Sequence, residues 1–208
     1  METKTRLIEQ AKELFMRLGV RSVSMDDIAN QIGISKKTVY QQVADKDELV
    51  ELVLQAEIKK MQKETLECST TARDAVDEIF NTMFMVMKHF KNMNPVVVFD
   101  LHKYHFNAWI KFMEYKNNFL LKVIQMNLEK GIEEGNYRPD IRVDILAKYR
   151  LESMMLALNM EAFPPEQYNS AEVTIVMIEN FLYGVSTEKG HQLIETYKKE
   201  RDIQWIAK

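Results

Sequence analysis

The stretch Ser24-Met25-Asp26-Asp27-Ile28-Ala29-Asn30-Gln31-Ile32-Gly33-Ile34-Ser35-Lys36-Lys37-Thr38-Val39-Tyr40-Gln41-Gln42-Val43 decides the fold of this 208-residue chain. Its spacing predicts two short helices around a turn at Gly33-Ile34. Ser24 with Asp27 three positions on is an N-cap pattern, and a further short helix starts after Ser35. Ala29 is small, so the two helices can cross closely. Gly33, four residues on, allows the turn a positive φ. Val39, six further, packs the second helix onto the first, and Ile28, Ile32, Ile34 and Val43 complete the apolar set. These are the requirements of a helix-turn-helix over residues 24–43, which turns the outer face of residues 36–42 toward a DNA major groove.

Upstream, Leu7, Ile8, Ala11, Leu14, Phe15 and Leu18 form the stripe of an amphipathic helix that ends at Gly19. Downstream, Asp45 caps a long helix carrying Leu49, Val50, Leu52, Val53, Ala56 and Ile58. That helix turns polar from Lys59 to Glu67 and reads as a connector. The remainder predicts helices over 73–92, 95–105, 107–134, 142–161, 170–186 and 188–200. No glycine lies between Gly33 and Gly131, and Pro95 is the only proline before Pro139. Strand-rich folds need frequent turn residues, so the chain reads as all-α with about nine to ten helices. A three-helix head (1–46) precedes a larger helical bundle (47–208). The run Val96-Val97-Val98-Phe99 lacks a partner strand and reads as helix after Pro95.

The outward face of the motif has the chemistry of a DNA reader. Lys36 and Lys37 stand at a helix start, where cations oppose the helix dipole, so no local structural need explains them and a phosphate backbone does. Thr38, Tyr40, Gln41 and Gln42 offer hydroxyls and amides. A glutamine can bond an adenine edge through two contacts, and Thr and Tyr can reach phosphates or a thymine methyl. Lys46 opens the next helix in position for a further phosphate. A plain helical hairpin with a solvated lysine pair is the competing reading. Against it stand the joint spacing of Ala29, Gly33 and Val39 and the clustering of the exposed polar groups.

In these residues the sequence resembles the TetR family of bacterial transcriptional regulators. The resemblance rests on Ala11-x-x-Leu14-Phe15-x-x-x-Gly19 and on Ser24-Met25-x-x-Ile28-Ala29-x-x-Ile32-Gly33-Ile34-Ser35. It continues through Thr38-Val39-Tyr40 and Asp45-Lys46-Asp47-Glu48-Leu49, so it covers about residues 4–55. It implies that Thr38, Tyr40 and Lys46 contact operator phosphates and that Lys36, Lys37, Gln41 and Gln42 face the DNA. Gln41, Gln42 and Val43 depart from the aromatic residues common in the family.

A head of this size needs a second copy to read two half-sites ~34 Å apart. Residues 173–185 are apolar nearly all round, which suits a helix covered on both sides. With the helix at 142–161 it forms the expected homodimer seam, represented by Tyr149, Met177, Phe181 and Leu182. The resemblance implies the same four-helix arrangement. The alternative is a central helix buried within one monomer. Aromatic and methionine side chains in the middle of the body suit a deformable pocket for a small apolar or amphipathic ligand, with Phe84, Met87, Tyr104, Trp109, Phe112 and Met155 as candidate lining. The same stripes suit an ordinary core.

Other chemistry is sparse. Asp100, His102 and His105 form Asp-x-His-x-x-His, a pair of histidines with metal-ligand spacing but too few partners to make a site. No phosphate-cradling glycine loop, nucleophile elbow or His-Glu-x-x-His occurs, so no enzyme activity and no cofactor are expected. The single cysteine, Cys68, reads as an inert thiol and suits a reducing compartment. The polar start Met1-Glu2-Thr3-Lys4-Thr5-Arg6 and the lack of any long apolar run predict a cytoplasmic protein with no membrane partner. The net charge of -3 is uneven: residues 1–46 hold eight Lys/Arg against six Asp/Glu, and residues 47–208 hold twenty against twenty-five. The two-part architecture and the resemblance together imply a repressor that a ligand releases from a pseudo-palindromic operator. The rivals are a DNA-binding regulator with no small-molecule effector and a ligand-binding helical protein that binds no operator.

Overall fold

The computed structural model describes residues 3–91 and 93–201. Asn92, where the sequence places the start of a break, and the chain ends within the 1–46 and 47–208 regions lie outside the described residues. The described residues are helical, with α1 (Thr3–Leu18), α2 (Met25–Ile32), α3 (Lys36–Tyr40), α4 (Lys46–Thr71), α5 (Ala75–Phe90), α6 (Val96–Tyr104), α7 (Phe106–Glu114), α8 (Leu121–Glu133), α9 (Val143–Ala157), α10 (Ser170–Val185) and α11 (Glu188–Glu200). A π-helical stretch over Tyr115–Leu120 joins α7 to α8. The expected single rod over 107–134 is therefore present, but widened in its middle. Among the described residues the only extended pairing is one antiparallel bridge between Tyr137 and Ser186.

The chain forms two compact units. The first comprises Met1–Met61 and Asn92–Tyr115, and the second comprises Gln62–Lys91 and Lys116–Lys208.

In the first unit, Leu7, Ala11, Ile28, Val39 and Leu49 are sealed from solvent, and Ala29 is nearly so. The α2 start is a complete capping box. The Ser24 hydroxyl accepts from the Asp27 amide (3.1 Å) and the Asp27 carboxylate accepts from the Ser24 amide (2.8 Å). The Ser24 hydroxyl also donates to the Asp27 carboxylate (2.6 Å), and that bond foremost, then the Ser24 amide's, holds the Asp27 carboxyl below its ordinary pKa. Whatever stability this adds is present above the unfolded carboxylate range and is lost as pH falls through the folded value. Ser24→Ala is expected to cost about 1 kcal/mol and to lower Tm by roughly 2–4 °C in a thermal melt. The α4 start is capped by Asp45, whose carboxylate accepts from the Glu48 amide at 2.8 Å, while Glu48 accepts from the Ala44 amide at 2.6 Å. Helices α6 and α7 belong to this unit too. Asn94 donates its amide to the Met16 carbonyl at the end of α1 (2.8 Å), and Val97, Leu101 and Ala108 join the core.

The second unit packs α5, α8, α9, α10 and α11 around Val76, Phe80, Leu128, Leu151, Leu182 and Ile194. Its polar centre is Tyr137, 1% exposed. The Tyr137 hydroxyl donates to the Ala75 carbonyl (3.1 Å) and to Asn127 Oδ1 (3.3 Å), and Asn127 Nδ2 donates to the same carbonyl (3.0 Å). The Tyr137 ring lies against Gly131. A Cβ at residue 131 would fall 2.0 Å from a ring carbon. This contact is what requires glycine at residue 131. Asp77, on the buried face of α5, holds Arg73 at 3.1 Å and Arg201 at 2.5 Å. Burial pushes its carboxyl upward, but the Arg73 hydrogen bonds and the two positive charges outweigh that and hold it low. That carboxylate therefore stabilises the unit at neutral pH and ceases to do so in acid.

Candidate nucleic-acid interface

Gly33 ends α2 in the left-handed region (φ 71, ψ 36). Its amide donates to the Asn30 carbonyl (3.2 Å), and the Ile34 amide donates to the Ala29 carbonyl (3.0 Å). Two of the four end carbonyls of α2 are thus satisfied by the turn itself. Ser35 then caps α3, its hydroxyl accepting from the Thr38 amide at 3.1 Å. Val39 and Val43 point inward, at 0% and 3% exposed. That fixes which side of α3 looks out.

The outward side is the one expected from the sequence. Lys36, Lys37, Tyr40 and Gln41 are exposed, and Thr38, Gln42 and Lys46 are half-buried. Their partners add detail that the sequence did not carry. Lys36 Nζ bonds Asp26 Oδ2 at 2.8 Å, and this partner raises the lysine pKa. Lys37 has no ion-pair partner among the described residues. The Thr38 hydroxyl shares a hydrogen bond with Ser35 Oγ (2.8 Å). Lys46 Nζ leans toward the Arg21 carbonyl (3.4 Å). Partial burial pulls its pKa down against the pull of Asp100, Asp47 and Asp27.

Arg21, Asp100 and Tyr104 support the loop that leads into this face, a role the sequence did not carry. Asp100, 2% exposed, accepts from the Arg21 amide at 2.8 Å, and Arg21 Nη1 donates to the Tyr104 hydroxyl at 2.8 Å. Helix α6 therefore grips the loop that leads into Ser24. No signal along the chain links positions 79 and 83 residues apart. Tyr104, a candidate for pocket lining in the sequence, makes this bond to Arg21. Trp109 and Phe112 lie in the same unit, their rings 5.6 Å apart, with Trp109 against the His102 ring at 4.6 Å. Phe84, Met87 and Met155 belong to the other unit, Phe84 at 44% exposed and the other two half-buried.

The histidine motif separates. His102 is exposed and stacked on Trp109, while His105 is buried between α6 and α7 and bonds Asp47 Oδ1 through Nδ1 at 2.6 Å. Among the described residues no group of three or more His, Cys, Asp or Glu side chains is poised to hold a metal. Cys68 is half-buried; burial, then Glu78, Glu64 and Glu67, raise its thiol pKa, which keeps it protonated and unreactive.

Of the residues expected at the dimer seam, Tyr149 is 56% exposed and Met177 half-buried. Phe181 (7%) and Leu182 (1%) point into their own bundle. The apolar side chains left on the outer surface of α9 and α10 are Ile145, Tyr149, Leu156 and Val176.

The model of the bacterial regulatory proteins, tetR family, matches residues 7–53, the span built around this capped turn. Over residues 7–53 the chain is similar to the TetR family. The repressor KstR2 of Mycobacterium tuberculosis (strain ATCC 25618 / H37Rv) is 23% identical over 146 residues, covering 69% of this chain and 73% of that protein. The uncharacterised regulator YvaF of Bacillus subtilis (strain 168) is 22% identical over 194 residues, covering 88% and 96%. Among solved structures, a transcriptional regulator from Saccharomonospora viridis in complex with choline superposes with a TM-score of 0.70 at 16% identity, covering 89% and 98%. The all-α architecture of that structure thus extends over the body as well as the head, and the family model and the relatives that the chain is similar to are those of transcriptional regulators. Among the described residues, no helix is long and apolar enough to cross a membrane.

Proposed function

We propose that this protein is a cytoplasmic homodimeric repressor of the TetR family. Residues 1–46 read a pseudo-palindromic operator, and residues 47–208 carry the dimer seam and the site of a small effector. The observation that supports operator reading best is the outward face of α3, with two exposed lysines, Tyr40 and Gln41 set on a helix whose register is fixed by the Gly33 turn. Lys36, Lys37, Thr38, Tyr40 and Lys46 engage phosphates, and Gln41 and Gln42 reach base edges. Lys36 exchanges Asp26 for a phosphate on binding. An effector that favours one arrangement of the body by ~1–3 kcal/mol changes operator affinity ~5–150-fold. The choline complex of the Saccharomonospora regulator, a protein of the same fold, supports a ligand site in such a body.

Selection of bound duplexes from a random pool by the full-length protein tests this reading. Two inverted half-sites with centres about one helical turn apart, ~34 Å, are expected. A pool without enriched sequence, or with a single unpaired site, overturns it.

The dimer seam is drawn on the outer apolar stripe. Ile145, Tyr149 and Leu156 recur at helical spacing on α9, with Val176 on α10. Changing Ile145 and Tyr149 together to Asp places two charges in that seam. Sedimentation is expected to show a single chain of 24.5 kDa, with operator affinity reduced at least ~100-fold through loss of the second head. Phe181 and Leu182 changes act on bundle stability instead.

A further inference from the structure

The second unit buries a cation that has no ion-pair partner among the described residues. Arg150 sits on the inner face of α9 at 5% exposed. Its Nε is fully enclosed and has no hydrogen-bond partner, and among the described residues no carboxylate comes within ion-pair distance of the guanidinium. Its neighbour is a ring: the guanidinium carbon stands 5.6 Å from the centre of Phe181, which lies 6.2 Å from the Tyr149 ring. Two groups lie close enough to act on Arg150, the neutral Tyr137 hydroxyl and the Glu78 carboxylate. Both are committed elsewhere. The Tyr137 hydroxyl is bonded to Ala75 and Asn127. Glu78, itself 5% exposed, has its carboxylate 3.6 Å from Lys130 Nζ. One buried carboxylate thus serves two cations, and among the described residues Arg150 has none of its own. Burial lowers the guanidinium pKa, yet arginine keeps its proton inside proteins, so the charge remains.

We propose that Arg150 receives the carboxylate of an apolar organic acid, and that this acid is the effector of the regulator; the second part rests on the ligand-responsive reading above. A carboxylate has the right charge and shape. Its single negative charge balances the single positive charge of Arg150, and its two oxygens match the planar guanidinium fork. A phosphate dianion would leave an excess of negative charge in the same low-polarity setting. Phe181 and the surrounding bundle core supply an environment for an apolar body.

The test uses the full-length protein and straight-chain acids from butanoate to tetradecanoate, each paired with the alcohol of equal length, together with decyl phosphate. Calorimetric titration is expected to show at least one acid binding about 10–100-fold more tightly than its alcohol. Arg150→Met should bring that acid down to the level of the alcohol and leave the alcohol unchanged. Arg150→Lys, which keeps the charge without the fork, should fall between. Without ligand, Arg150→Met should melt at or above the wild-type temperature, because it removes an unpaired buried charge. A lower melting temperature would mean that Arg150 serves the bundle through Glu78, and would overturn the proposal. Acids that bind no better than alcohols, or decyl phosphate binding best, would overturn it as well. Operator binding is read separately by fluorescence anisotropy. An alcohol that releases the operator while the acids do not refutes the role of Arg150 and spares the ligand-switched regulator. Acids that bind through Arg150 without releasing the operator uphold the carboxylate site and refute the switch.

Discussion

Changing Lys36 and Lys37 together to Glu is expected to weaken binding to a duplex selected by the wild-type protein by about 100-fold or more near 0.1 M salt. Both side chains are exposed at the start of α3, and neither supports the core beneath. Lys37 has no competing anion, and Lys36 has only Asp26 at 2.8 Å to give up. Each phosphate contact removed should also make the dependence of log affinity on log salt shallower by about 0.9, or roughly two units for the pair. Reversal adds repulsion from the backbone to that loss. The melting temperature should stay within about 2 °C of wild type, since exposed substitutions away from caps and core have small effects. Asp26 becomes the internal control: Asp26→Asn releases Lys36 and should leave affinity unchanged or raise it. Wild-type affinity and slope in the double variant would show that α3 does not face the duplex.

The second large effect is on stability. Gly131→Ala forces a methyl group to within 2.0–2.6 Å of three Tyr137 ring atoms. The ring cannot swing away, because it is fully buried and its hydroxyl is tied to Ala75 and Asn127. Overpacking at such a site costs about 3 kcal/mol, or a fall in Tm of roughly 6–12 °C in a chain of this size. Adding Tyr137→Leu should recover part of that loss relative to the sum of the two single changes, because the two residues share one volume. Strict additivity in calorimetry would mean that the ring and the glycine do not meet.

The head was the legible part of the sequence. Ala29, Gly33 and Val39 act on one another within eleven positions, so their spacing alone specifies the crossing, the turn and the buried side of α3. The caps at Ser24 and Asp45 are equally local. The body was legible only as helices. In α10 the apolar pattern runs nearly all round, which states that the helix is covered but not by what, so Phe181 and Leu182 were read toward a partner chain when their own core encloses them. Tyr104 carries no mark of its bond to Arg21, because a contact across 83 residues leaves no periodicity. Arg150 is the clearest case. Between Tyr149 and Leu151 an arginine reads as a surface residue, and only the packed bundle reveals that it is enclosed without an ion-pair partner among the described residues.

Asp100 bears on how this head could be transplanted. A graft of residues 1–46 onto another body would leave the Arg21 amide without its acceptor, and the end of α1 without the amide of Asn94. The reading helices would then hang from an untethered loop. A working chimera has to carry α6 along with the head, although more than forty residues of chain separate them.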